Sequence, residues 1–125
     1  MDRAGEDEES NLIAEMNEIF KTGDNRQRRD LFRKIVILLY TSSSFPSHFV
    51  QAEGIKLLIL ATRDPEAQIR LLAVHALSRL VERGYRTQVQ LAEAEKELYR
   101  MRTDPYQPLR EFADRCLSTI SEPDS

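Results

Sequence analysis

Asp64-Pro-Glu-Ala-Gln-Ile-Arg-Leu-Leu-Ala-Val-His-Ala-Leu-Ser-Arg-Leu80 is the stretch on which the fold turns. Its apolar residues recur at helical spacing over most of a helix circumference, which marks a buried central helix. Asp64 is expected to cap that helix and Pro65 to be its first residue, where a missing N–H is harmless. Forty residues on, Asp104-Pro-Tyr-Gln-Pro-Leu-Arg-Glu-Phe-Ala-Asp-Arg-Cys-Leu-Ser-Thr-Ile120 repeats the pattern. Ile69 aligns with Leu109, Arg70 with Arg110, Ala73 with Ala113, Ala76 with Cys116, Leu77 with Leu117 and Leu80 with Ile120. Apolar meets apolar, small meets small, and the arginine recurs. A shift of 38 residues upstream gives a fainter copy, with Leu31, Ile35, Leu38 and Leu39 on Ile69, Ala73, Ala76 and Leu77. A period near 40 in a helical chain marks stacked repeats rather than a closed bundle.

Working outward, Gly84 closes the central helix, and Thr87 with Gln90 reads as a capping box for one helix reaching about Arg102. Upstream, Pro46 opens a short helix through Gln51, and Gly54 is expected to bend the chain into a helix over Ile55–Ala61. Two further helices precede these: one after Ser10, with Leu12, Ile13, Met16, Ile19 and Phe20, and one from about Arg26 to Tyr40. The expected organisation is a tail over 1–9, one helical domain over 10–121 and a second tail over 122–125.

Charge divides the chain similarly. Residues 1–18 carry −6 and residues 122–125 carry −2, so the net −3 hides a body of +5. No apolar run approaches the roughly 18 residues of a membrane span. The acidic start does not resemble a targeting leader, so cytoplasm or nucleus is expected. The single cysteine, Cys116, excludes an internal disulfide, and it stands on the alanine stripe as a small buried residue. With two histidines, His48 and His75, no catalytic constellation and no ligand cluster can be read. No enzymatic activity, metal or cofactor is expected.

The segment Phe49-Val-Gln-Ala-Glu-Gly-Ile-Lys-Leu-Leu-Ile-Leu-Ala61, followed by Asp64–Leu80, resembles an armadillo repeat. Ala52, Gly54, Leu57, Leu58, Ile69, Ala73, Ala76 and Leu77 match that family's positions. HEAT repeats share the Asp-x-x-x-Arg and alanine pattern; Arg70 and Arg110 point toward HEAT, Gly54 toward armadillo. The resemblance implies an all-α, short right-handed solenoid of about two and a half to three repeats. It implies a non-enzymatic adaptor or scaffold that binds a partner protein or peptide in a groove lined by the third helices. By that resemblance the groove positions are Leu71, His75 and Arg79, then Glu111, Arg115 and Thr119, then Arg33, Ile37 and Thr41. The Trp and Asn of an importin-type groove are missing at His75 and Arg79, which argues against binding of nuclear-import signals. Arg79 and Arg115 suit an acidic partner.

An alternative is a nucleic-acid-binding face built from Arg26, Arg28, Arg29, Arg33 and Lys34, although no aromatics are interleaved for stacking. The last two helices raise a question of assembly. Leu98, Tyr99 and Phe112, with Leu109, Cys116, Leu117 and Ile120, read either as an apolar end that a homodimer or a larger partner would cover or as a stripe that the last helix turns onto its own neighbours.

Overall fold

The computed structural model describes residues 3–121, and within them every regular element is helical. The order is α1 (Arg3–Thr22), α2 (Asn25–Thr41), α3 (Phe45–Gln51), α4 (Gly54–Ala61), α5 (Ala67–Leu80), a π-helical turn (Val81–Tyr85), α6 (Arg86–Leu91), α7 (Ala94–Met101) and α8 (Gln107–Ser121). Among the described residues no helix is long and apolar enough to cross a membrane.

The central helix is α5, as its sequence pattern requires. It packs between α2 and α8 and also against α4. Ile69, Ala73, Val74, Ala76, Leu77 and Leu80 are all buried there. The alanines let neighbouring backbones approach, and the branched side chains fill the space between layers. On the far side of α2 lies α1, with Met16 buried and the Phe20 ring edge-on to Phe32 at 5.7 Å. Glu15 and Glu18 face water. On the far side of α5, α7 packs on α8.

Several local expectations are corrected. The acidic stretch expected as a tail over 1–9 is helical from Arg3 onward, so α1 begins seven residues before the Ser10 start. Carboxylates in the first turns are favoured by the helix dipole, so the charge that reads as solvated tail also suits a helix N-terminus. Residues 1–2 and 122–125 of the two expected tails lie outside the described residues. Between α1 and α2, Asp24 forms a full capping box: Gln27 N–H donates to Asp24 Oδ1 at 2.8 Å, and Asp24 N–H donates to Gln27 Oε1 at 2.9 Å.

The single helix expected from Thr87 to Arg102 is broken. Glu93 sits in the left-handed region (φ 62°) and separates α6 from α7. The bend expected at Gly54 is likewise carried by the residue before it, Glu53 (φ 63°). The two breaks are 40 residues apart, so the repeat extends upstream of the Asp-Pro turns. The capping box expected at Thr87 and Gln90 does not form, since α6 has no side-chain cap and Gln90 Nε2 donates to Ile120 O instead.

Asp64 is not the cap of α5 either. Its Oδ1 accepts the Glu66 N–H at 2.9 Å in a turn, and α5 starts at Ala67. Asp104 does the same with the Tyr106 N–H, also at 2.9 Å. Each turn then receives an arginine from the preceding layer. Arg28 Nε reaches Asp64 Oδ2 at 3.0 Å, and Arg70 Nε reaches Asp104 Oδ2 at 2.9 Å. Arg70 Nη1 also bonds Asp64 O at 2.8 Å, and Arg110 Nη1 bonds Asp104 O at 2.7 Å. These planar forks, with little of Arg70 or Asp104 exposed, fix the register between layers.

The apolar end expected over the last two helices is closed within the chain. Leu98, Met101, Leu109, Cys116, Leu117 and Ile120 are buried. The exposed positions of α8 include Glu111, Asp114, Arg115 and Ser118, where the 40-residue repeat has Leu71, Val74, His75 and Ser78 in α5. Glu111 and Asp114 thus stand on the outer side of the last helix where α5 has Leu71 and Val74. Of the three residues expected to drive assembly, Leu98 is unreachable, Phe112 is half-buried and Tyr99 is exposed.

Candidate functional site

A row of aromatic and cationic groups runs across α2, α5 and α8. Its centre is His75 on α5, half-buried between two neighbours. On one side the Tyr40 hydroxyl lies 2.9 Å from His75 Nε2, with the rings edge to face. On the other, the Phe112 ring is centred 5.2 Å from the imidazole. Partial burial pushes the His75 pKa below its usual value, opposed by the nearby charge of Glu82. Neutral imidazole is therefore favoured between the two rings.

Cations cover both ends of this row. The Arg79 guanidinium stacks 4.2 Å from the Tyr40 ring centre, and that of Arg115 lies 5.7 Å from the Phe112 centre. Their roles differ. Arg79 Nε donates to Leu39 O at 3.2 Å and its Nη1 pairs with Glu82 at 3.4 Å. Arg83, from the π-helical turn, adds bonds to Leu39 O and Ser42 O. Together they satisfy carbonyls left open at the C-terminus of α2. Arg79 is thus tied to the scaffold, whereas Arg115 is exposed.

The remaining expected groove residues fall around this row. Ile37 is 58% exposed one turn before Tyr40. Arg33 is exposed, with Asp30 at 3.8 Å. Leu71 packs half-buried against the core, and Glu111 is exposed beside Gln107. Thr41 and Thr119 turn their hydroxyls back to Ile37 O and Arg115 O. The 38- and 40-residue registers set Ile37 and Arg115 beside His75; the side chains in contact are Tyr40 and Phe112, each displaced by a turn. Packed helices cross at an angle, so aligned positions are not touching positions. Tyr40 and Arg83 carry no repeat signal and are the residues that alignment misses.

The alternative basic face is partly spent on structure. Arg28 binds Asp64, Gly23 O and Asn25, and Arg29 lies 3.6 Å from Glu66. Arg26, Arg33 and Lys34 are exposed. Cys116 is buried, and burial pushes its thiol pKa up to about 12. Among the described residues no group of three or more His, Cys, Asp or Glu side chains is placed to hold a metal ion.

No family model matches the chain, and no curated protein is significantly similar to it.

Proposed function

We propose that this chain is a non-enzymatic interaction module, an adaptor or scaffold of the armadillo/HEAT type. In this reading it forms a short right-handed solenoid of about two and a half to three repeats and holds a partner protein or peptide across α2, α5 and α8. The repeat reading is supported by turn and arginine bonds that recur at 40 residues. The binding reading is carried by one observation: the row Tyr40–His75–Phe112, continuous across three helices, with exposed Ile37 and Arg115 at its margins. Partly exposed aromatics flanked by arginine are the composition of protein-binding hot spots. The repeat scaffold presents them with little conformational freedom left to lose.

The test is affinity capture from the native source with Tyr40→Ser and Arg115→Glu, both at exposed positions. Partners held by the wild-type chain are lost or weakened about tenfold with the double variant, as removal of one hot-spot contact implies. Full retention by a folded variant removes the assignment. Arg79→Glu is not a suitable probe, because that arginine closes the end of α2.

A further inference from the structure

We infer that the cleft between α1 and α2 seats an amphipathic helix of a partner protein whose apolar stripe is flanked by lysine or arginine. This deepens the proposed binding function and rests on it. The cleft has a volume of about 550 Å³ and is bordered by Glu8, Glu9, Leu12 and Glu15 of α1 and by Lys34, Ile37 and Leu38 of α2. Leu12 and Leu38 are half-buried, and Ile37 stands exposed at the mouth. A lone exposed isoleucine is ordinary. Here it adjoins two further aliphatic side chains in a concavity, which is the floor an amphipathic helix fills.

The shape selects the occupant's backbone. Both walls are α-helices whose backbone groups are bonded within themselves, so an extended strand would find no ladder to join. A helix satisfies its own backbone and enters on side chains alone. Glu8 to Glu15 spans about 10 Å along α1, room for two turns of a partner helix. Leucine-like residues at i, i+3, i+4 and i+7 then reach the floor.

The charge selects its flanks. Three carboxylates, Glu8, Glu9 and Glu15, stand along one wall, and the base Lys34 stands on the other. Glu9 Oε2 accepts a hydrogen bond from Ser44 Oγ at 3.2 Å, which holds it toward the α3 side. A partner flank carrying bases complements the α1 wall, and an acidic flank would be repelled along it. This preference is the reverse of the acidic partner expected from Arg79 and Arg115.

The test uses two synthetic peptides of about 18 residues with one leucine stripe at helical spacing, flanked by lysines in one and by glutamates in the other. Binding to the full chain is measured by fluorescence anisotropy at ~50 mM and at ~300 mM salt. The lysine peptide is expected to bind about tenfold more tightly at low salt, as ion pairs along this wall allow, with the advantage shrinking at high salt. Glu9→Lys with Glu15→Lys should abolish that advantage, while Asp114→Lys, a charge reversal at an exposed position of α8 outside the groove, should leave it in place. Ile37→Ser, which removes the apolar contact without changing the charge, should weaken the lysine peptide, with circular dichroism confirming an intact fold.

No binding of either peptide, equal binding of both, or lysine-peptide binding indifferent to Ile37→Ser overturns the proposal. Binding lost with Tyr40→Ser and Arg115→Glu but kept with Ile37→Ser overturns it too, while leaving the α2–α5–α8 reading intact.

Discussion

Gly54 and Phe49 show how closely single residues are fitted. A Cβ on Gly54 would lie 2.5 Å from the Phe49 ring, and the ring is fully buried. In the second copy the matching pair is Val89 and Ala94, also both buried. The smaller Val leaves room for the methyl that Phe excludes. Gly54→Ala alone should therefore cost about 1–3 kcal/mol by overpacking. In a Phe49→Val background that cost should fall by about 1 kcal/mol or more, a coupling readable by urea denaturation of the double-mutant cycle. Glu97 is fitted by charge instead. It takes the place of Leu57 in the repeat and is buried beneath the guanidinium groups of Arg63 and Arg100. The Arg63 hydrogen bond holds its carboxyl below the ordinary 4.5, against the pull of burial, and Arg100 assists. The folded state thus gives up this proton at lower pH than the unfolded chain does. The stabilisation is complete above about pH 4.5 and is lost as pH falls through the folded value. Glu97→Gln should therefore be less stable at neutral pH, and its difference from wild type should shrink toward pH 3, measured as urea midpoints. The Gly54 position is legible as a repeat feature, but its cause is not, because the ring that demands it lies five residues upstream on another helix. Glu97 is illegible, since a buried glutamate reads as solvated until its arginines are brought over it.

At the scale of elements, the break at Glu93 is the feature most thoroughly hidden in the sequence. Gln90-Leu-Ala-Glu-Ala-Glu-Lys96 contains only good helix formers, so local preference favours one continuous helix over 87–102. Packing overrides that preference: Val89 of α6 and Ala94, Leu98 and Met101 of α7 are all buried, and α7 lies against α8. A left-handed residue with a side chain costs about 1–2 kcal/mol relative to its usual conformation. Glu93→Gly should accordingly stabilise the chain by up to about 1 kcal/mol. In a continuous helix the same change would destabilise by about 1 kcal/mol, so thermal or urea unfolding distinguishes the two by sign. The hint available in sequence is the 40-residue offset from Ala52-Glu53 to Ala92-Glu93. The Asp-Pro turns are legible, yet their purpose is not: an aspartate before proline reads as a helix cap, and its use as a socket for Arg28 or Arg70 appears only once α2 and α5 are brought beside the turns.

For the whole molecule, the all-helical class, the central position of α5 and the alanine stripe follow from periodicity alone, because burial of one face imposes the period. The closed C-terminal end does not follow, since apolar spacing shows that α8 has a buried face without saying which neighbour covers it. The stripe turns inward onto α5 and α7, and charged positions face out. Exposed Ile37 and Tyr40 of α2 lie along the row across α2, α5 and α8 and beside the α1–α2 cleft, whereas Leu60, Tyr99 and Tyr106 are exposed elsewhere. The proposed binding of a protein partner on this side of the chain is read out by site-specific photo-crosslinking. Ile37 and Leu60 serve as matched positions, at 58% and 59% exposure, one at the proposed face and the other on α4. With a photoreactive residue at each in turn, native extract should yield a discrete crosslinked protein from position 37 that is missing from position 60 and suppressed by Tyr40→Ser with Arg115→Glu. Equal yield from both positions, or a discrete product from position 60 alone, would contradict the account.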